Sequence, residues 1–335
     1  MLKNTWISLK AQERQGNKVR VQHKSSKILY EVDLHIHSTR SDGYDTPGEL
    51  VTKAANSGMR AIAVVDHDIS PEGPGKLKKT AGKIGLGLVF GYEFSCDSNV
   101  DDVHIIGYEL DWSAPSVIFE QEFAKESKSC AYKELCMLLT ERGLEVDYEK
   151  EILNFRDSKG NLQKRTPDEV QRKHIFELLA ARGYFPSWEK AKLFVRDDPG
   201  LNIKRKKINP LKAIDIIKKC GGLAVLAHPY LIDESLASQD IEANSRTDYI
   251  DKLIDSGLDG IESCYTYSKT TYKGSLTNKQ IQKEVEDSYR DRLRFFTGGS
   301  DYHNDAKKGA ANQREIGEAG ISYERFREIF ADYLY

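Results

Sequence analysis

All but two of the eight histidines in this chain stand at the edges of short apolar runs, and most of those runs also carry a carboxylate beside the imidazole. The segments are Val32-Asp33-Leu34-His35-Ile36-His37, Val64-Val65-Asp66-His67, Asp102-Val103-His104, Leu226-Ala227-His228-Pro229 and Gly299-Ser300-Asp301-Tyr302-His303. Such recurrence constrains the fold: the ends of several strands have to meet in one place. In a strand, residues i and i+2 share a face, which sets His35 beside His37 and Asp301 beside His303. Imidazole and carboxylate together are the ligand set of zinc, manganese and iron. The chain reads as a metalloenzyme.

The apolar runs predict how the ends converge. Strands are expected at 30–37, 61–65, 86–94, 103–108, 223–227, 260–263 and 294–297. A helix start is written at Thr46, a candidate N-cap, with Pro47 in the first helical position and Glu49 in the first turn, and that helix should end near Gly58. Short strands separated by helix-length segments imply parallel βαβ units in an α/β fold, either a barrel or a doubly wound sheet. The metal-type residues sit at the C-terminal end of each run, which favours the barrel, because its βα loops converge at that mouth. The rhythm holds over 31–112 and 216–335 and breaks over 113–215, a mainly helical insertion expected to lie over the C-terminal mouth. Helices are expected there at 119–142, stopping at Gly143, and at 168–182, stopping at Gly183. The basic run Lys204-Arg205-Lys206-Lys207 follows, either a solvated surface or a phosphate channel. Residues 1–30, which include His23, form a polar extension with little to bury.

A net charge of −2 excludes a generally cationic surface for wrapping long nucleic acid, while leaving room for a local basic patch. No apolar stretch approaches the roughly 20 residues that span a bilayer, so no membrane association is expected. The five cysteines (Cys96, Cys130, Cys136, Cys220, Cys264) contain no CxxC pair, and the N-terminus has no signal-peptide pattern. Reduced, buried thiols in a cytoplasmic protein are the expectation.

Two carboxylates admit alternatives. Glu93, in Phe90-Gly91-Tyr92-Glu93-Phe94, looks buried and so requires a cation or a hydrogen-bonded partner; it either bridges metals or pairs with an arginine. Asp42, in Ser41-Asp42-Gly43, is a metal ligand or an ordinary turn aspartate.

The ordered set DLHIHSTRSDG, VVDHD, GYEFS, HIIGYELD, LAHP, GIESCY and GGSDYH resembles the polymerase-and-histidinol-phosphatase (PHP) family of metal-dependent phosphoesterases over 31–112 and 220–305. The resemblance implies a distorted seven-stranded (β/α)7 barrel that binds two or three divalent metal ions, Mn2+, Fe2+ or Zn2+, at its C-terminal mouth. It assigns His35, His37, Glu93 and Asp301 to one metal, Glu93, His104 and His228 to a second, and Asp42, His67 and His303 to a third. Asp66 would orient a neighbouring histidine from behind. Within the insertion, Gln171-Arg172-Lys173-His174-Ile175 followed by Ala181-Arg182-Gly183-Tyr184 resembles a segment of the branch acting on nucleotides and 5′-phosphorylated oligonucleotides, matching at Arg172 and His174 but not at Gln171 and Lys173. Arg172 and His174 are thus candidate substrate residues, or else part of a solvated helix face. That branch follows its GIE strand with a tyrosine and a His-Ser pair. Here Tyr265 keeps the aromatic, the histidine is missing, and Lys269 or Lys273 would replace its charge.

The expected activity is hydrolysis of phosphate esters of nucleotide-like substrates: a nucleoside monophosphate or bisphosphate, or a short single-stranded nucleic acid cleaved 5′–3′. The metals would make hydroxide available near neutral pH, and His303 or His174 would protonate the leaving group. A histidinol-phosphate phosphatase is the alternative within this chemistry. An amidohydrolase-type C–N hydrolase, whose barrels also begin with HxH, is the alternative outside it, and a non-catalytic metal module that binds nucleic acid is a third.

Overall fold

The computed structural model describes residues 29–156, 160–167, 169–236, 238, 241–308 and 312–333. Most of the polar stretch 1–30, His23 included, lies outside them.

The chain runs β1 (Val32–Ile36), α1 (Pro47–Asn56), β2 (Ala61–His67), α2 (Pro74–Lys83), β3 (Gly87–Ser95) and β4 (His104–Tyr108). Next come α3 (Pro115–Glu141), a π-helical turn (Tyr148–Leu153), the hairpin strands β5 (Asn154–Arg156) and β6 (Leu162–Lys164), α4 (Arg172–Ala181) and α5 (Trp188–Asp197). The last part is α6 (Pro210–Lys219), β7 (Leu223–Leu226), α7 (Arg246–Asp255), β8 (Gly260–Tyr265), α8 (Asn278–Tyr289), β9 (Phe295–Gly299), α9 (Asp305–Lys308) and α10 (Tyr323–Phe330). Seven strands form one sheet in the order β1-β2-β3-β4-β7-β8-β9, and a bridge from Ile36 to Tyr302, just past β9, brings its two edges together into a nearly closed barrel.

The expectation of uniformly parallel strands is corrected at β4, which runs antiparallel to both β3 and β7. The link 96–103 is too short for the crossover that a parallel pair needs. The reversal matters for the site. His104 is the first residue of its strand rather than the last, and its register opposite Ser95 returns it to the same mouth as the C-terminal ends of the other strands.

Strand residues from β1, β2, β3, β4 and β7 form a cluster that fills the barrel, including Val32, Leu34, Ala63, Val65, Val89 and Val225, and Phe326 and Phe330 of α10 join it. The other faces of β1 and β2 (Ile36, Ile62, Val64) pack under α1 and α2. Both faces of these strands are buried, as expected under an outer layer of helices. Helix α1 starts as its sequence dictates, with Thr46 and Glu49 forming a reciprocal capping box and Pro47 in the first turn.

The register of β1 slips by one residue between Asp33 and Ile36. Leu34 therefore belongs to the barrel interior while Ile36 faces the outer helices. The slip turns His35 and His37 inward, the re-aiming that bulges next to functional sites provide.

The segment between α3 and α6 has an apolar cluster of its own, built from residues such as Leu135, Leu139, Ile175, Leu179 and Val195. Helix α3 ends at Glu141 ahead of Gly143 (φ 81°), and α4 is shorter than 168–182 because Gln171 caps it. Helix α6 packs its Ile214 and Ile217 with the strand core. Three cysteines are buried, but Cys130 is exposed and Cys220 half-buried, which corrects the expectation that all five would be buried. Among the described residues, no helix is long and apolar enough to cross a membrane.

Candidate metal centre

Glu93 stands at the middle of the mouth, fully buried on β3. Its Oε1 lies 2.9 Å from His104 Nδ1 and 3.4 Å from both His35 Nε2 and His228 Nε2; its Oε2 lies 3.0 Å from His67 Nδ1 and 3.2 Å from His37 Nε2. Asp301 Oδ1 sits 3.1 Å from His37 Nε2 and 3.6 Å from His35 Nε2, and Asp42 Oδ1 sits 3.0 Å from His303 Nε2 and 3.8 Å from His37 Nδ1. The paired ring nitrogens are close as well: His35 Nε2 and His37 Nε2 at 3.1 Å, His104 Nδ1 and His228 Nε2 at 3.2 Å.

Two observations fit this set to bound cations. Neither Glu93 oxygen accepts a hydrogen bond, despite five ring nitrogens around them, and the Nδ1 atoms of His37, His67 and His228 are likewise buried without a hydrogen-bond partner. A carboxylate stripped of water and of hydrogen bonds costs several kcal/mol unless a cation compensates it. The spacing is also right: two donors each about 2.1 Å from one ion lie roughly 3.0–3.4 Å apart at common coordination angles. Three groups of ligand atoms are close enough to hold an ion: His35, His37 and Glu93; His67, Glu93 and His104; and His37, Asp42, His67 and His303. The grouping implied by the resemblance differs in detail, since His67 reaches Glu93 as well as the Asp42 group.

The electrostatics describe one cluster of mixed charge. Burial opposes ionisation of Glu93, yet His67, His35 and His104 outweigh it and hold the carboxyl well below its ordinary range. Burial likewise opposes charge on His35, but Glu262, Glu93 and Asp301 raise its pKa well above the usual imidazole value. Burial dominates at His67 and pushes its pKa down to about 3.

A supporting layer fixes these groups, and sequence reasoning missed most of it. Glu262, at the end of the apolar run of β8, lies 3.2 Å from His35 Nδ1 and accepts from the backbone N–H of His228 at 2.8 Å. That bond holds His228 at φ 29°, a conformation costing about 1–3 kcal/mol outside glycine. Asp33 accepts from Ser300 N and Oγ and from Gly317 N, which anchors the turn that places Asp301 at φ 54°. Just before it, Gly299 passes so close to β1 that a Cβ would lie 2.2 Å from that of His35. Arg314 donates to Asp301 Oδ2 (2.5 Å) and Asp305 Oδ2 (3.0 Å), and Tyr265 OH donates to the same Asp301 oxygen at 2.6 Å. Asp33 and Glu262 carried a signal, a buried carboxylate in an apolar run; Arg314 carried none.

Of the remaining expected site residues, Asp66 accepts from Ser38 N, Ser38 Oγ and Ser41 Oγ, so it holds the loop leading to Asp42 rather than contacting a histidine. The bonds of Arg172 and His174 run within the insertion: Arg172 donates to the Ile203 carbonyl, and His174 Nδ1 accepts from Gln171 N at 3.1 Å as part of the α4 capping box. Burial pushes His174 down to about 3, with help from Arg165 and Lys173. Lys269 pairs with Glu318 at 2.6 Å. In the basic run, Lys204 and Lys206 are exposed while Arg205 and Lys207 turn inward, with Arg205 2.7 Å from Asp68 beside the His67 strand end.

Comparison with known proteins agrees with this architecture. The PHP domain family model matches residues 33–185. The chain is 28% identical over 276 residues to a phosphoribosyl 1,2-cyclic phosphate 1,2-diphosphodiesterase of Eggerthella lenta, covering 81% of this chain and 93% of the relative. It is 27% identical over 198 residues to a 5′-3′ exoribonuclease of Haemophilus influenzae (59% and 68% covered) and 25% identical over 200 residues to a 3′,5′-nucleoside bisphosphate phosphatase of Chromobacterium violaceum (59% and 66%). The solved structure of an amidohydrolase, also from Chromobacterium violaceum, superposes with a TM-score of 0.66 at 22% identity over 90% of this chain and 96% of that one, a likeness of fold. The segment matched by the PHP domain model begins at Asp33 and contains His35, His37, Asp42, His67, Glu93 and His104, six of the nine expected ligands.

Proposed function

We propose that this protein is a metal-dependent phosphoesterase acting on nucleotide-like phosphate esters. The observation that carries the reading is Glu93, whose two buried oxygens face different sets of imidazoles and accept no hydrogen bond. In this reading His35, His37, Glu93 and Asp301 hold one divalent ion, Glu93, His104 and His228 a second, and Asp42, His67 and His303 a third. Bound there, such ions would supply Lewis acidity, lowering the pKa of coordinated water and polarising phosphoryl oxygens.

The chain's own residues set the geometry. Glu262 holds His35 by Nδ1, which turns the Nε2 lone pair toward the centre. Arg314 and Tyr265 occupy Asp301 Oδ2 and leave Oδ1 to face His37 and His35. Asp66 fixes the loop carrying Asp42. Of the two histidines considered as proton donors, His174 is spent on its helix cap, and with its pKa pushed down to about 3 the ring is uncharged near neutral pH. His303 has Nε2 3.0 Å from Asp42 Oδ1 and Nδ1 2.8 Å from the Asp301 carbonyl, at the mouth itself. The names of the Eggerthella, Haemophilus and Chromobacterium relatives all describe phosphate-ester chemistry, which supports this reading over C–N hydrolysis.

The test is a manganese-dependent screen across nucleoside monophosphates, 3′,5′-bisphosphates, 5′-phosphorylated oligonucleotides, histidinol phosphate and cyclic amides. Release of phosphate or of nucleotides, lost together with bound metal in His35→Ala/His37→Ala, is expected. Turnover confined to amides, or phosphate release and metal content unchanged in the double variant, would refute the reading.

A further inference from the structure

The loop between β1 and α1 carries Asp42 on a tight turn and is held from two sides. From the barrel, Asp66 accepts from Ser38 N, Ser38 Oγ and Ser41 Oγ. Gly43 passes so close to β1 that a Cβ would sit 2.3 Å from the His37 carbonyl oxygen. From the insertion, Gln171 Nε2 donates to the Ser41 carbonyl at 2.9 Å and Lys173 Nζ donates to Tyr44 OH at 2.7 Å. We propose that the start of α4 is a latch on this loop. Gln171 and Lys173 are positioning residues for Asp42, and through them the insertion sets the affinity of the ion site of His37, Asp42, His67 and His303, a role that rests on reading those four residues as ion ligands.

A peptide unit is planar, so a hydrogen bond that fixes the Ser41 carbonyl also fixes the N–H of Asp42. Asp66 holds the side chains of Ser38 and Ser41, whereas Gln171 holds the Ser41–Asp42 peptide itself. Lys173 takes the other flank at Tyr44, two residues beyond Asp42. Its ammonium lies 5.3 Å from the centre of the Tyr44 ring and 5.0 Å from that of Trp188, so α5 backs the contact.

Asp42 is the ligand that most needs such support. Its side chain is 31% exposed, against 0% for His37 and 6% for His303. It stands in a turn, while His37 and His67 sit at strand ends enclosed by the barrel wall. A ligand with little packing around its side chain is placed by its backbone.

The latch is anchored on the insertion side. Helix α4 buries Ile175, Phe176 and Leu179 in an apolar cluster whose members run from Ala131 to Ile203. A shift of α4 therefore reaches Asp42 through polar contacts rather than through a core shared with the barrel. Gln171 and Lys173 are also the two positions at which the segment departs from the branch it resembles, so the latch is a feature of this chain.

The experiment titrates the metal-stripped full chain with manganese, reading free Mn2+ by electron paramagnetic resonance and the fold by circular dichroism. Wild type should bind three ions. Gln171→Met/Lys173→Met keeps side-chain length and removes both donors; one ion should bind about 10-fold or more weakly while the other two stay within about twofold. Loss of a lysine's charge would by itself tighten the binding of a cation, so the expected sign is opposite to the Coulomb effect. Lys192→Met, at an exposed position of α5, is the charge control and should weaken no ion. Tyr44→Phe leaves α4 intact and keeps the test alive if the double variant misfolds. It should weaken the same ion, and should add nothing in the double variant, where the contact is already lost. A folded double variant that keeps all three affinities, binds that ion more tightly or weakens all three alike overturns the latch. So does a wild type that binds only two ions, or a Tyr44→Phe protein with wild-type affinities. A wild type that binds no manganese overturns the ion-ligand reading beneath it.

Discussion

Glu262→Gln isolates the tautomer of His35. Glu262 Oε1 is the nearer oxygen to His35 Nδ1, at 3.2 Å against 3.4 Å for Oε2, and Oε2 accepts the His228 N–H at 2.8 Å. A backbone N–H can only donate, so the single oxygen of a glutamine has to face His228. Its NH2 group then faces His35 Nδ1, which becomes an acceptor, and the ring proton moves to Nε2. That nitrogen lies 3.4 Å from Glu93 and 3.1 Å from His37 Nε2, where a metal ligand needs a lone pair. Loss of such an orienting partner weakens metal binding by about 10- to 100-fold, or about 1.4–2.7 kcal/mol. The variant keeps volume and backbone hydrogen bond, so its fold should persist. Manganese titration of stripped protein, followed by calorimetry and circular dichroism, reads both. Wild-type affinity in a folded Glu262→Gln protein would refute the claim that Glu262 sets the tautomer.

Three further outcomes follow from the geometry. Phe326→Ala, at a fully buried position in the barrel floor, should cost about 3–5 kcal/mol in denaturant unfolding while metal affinity in the folded protein stays within about twofold. Gly299→Ala places a methyl 2.2 Å from His35 Cβ and should cost about 3 kcal/mol and lower metal affinity as well, because the strand it displaces carries a ligand. His174 has its folded pKa lowered from 6.5 to about 3, so its contribution to stability is complete above 6.5 and is lost as pH falls from 6.5 toward 3. Titration in urea should show His174→Gln, which retains a capping acceptor, about 1–2 kcal/mol less acid-sensitive than wild type at pH 5; parallel profiles would contradict this.

What the sequence disclosed was local. Thr46-Pro47-Gly48-Glu49 spells a helix start in four residues, and the apolar runs mark all seven strands because each is buried on both faces. The nine expected ligands do converge around one mouth, since their positions at strand ends are a property of each run. What stayed hidden depends on distance in the chain. The His35–Glu262 contact spans 227 residues, and Arg314 reaches Asp301 from a segment with no pattern of its own. The bulge in β1 is invisible because period-2 alternation assumes an unbroken register.

The central claim is that Glu93 joins the ion sites of a phosphoesterase. The most direct measurement is manganese-dependent phosphate release from adenosine 3′,5′-bisphosphate, with bound manganese counted on the same samples, for wild type and Glu93→Gln. Wild type should release phosphate only with manganese, and Glu93→Gln should lose bound ions and at least about 100-fold in rate; a variant that keeps both would contradict the account.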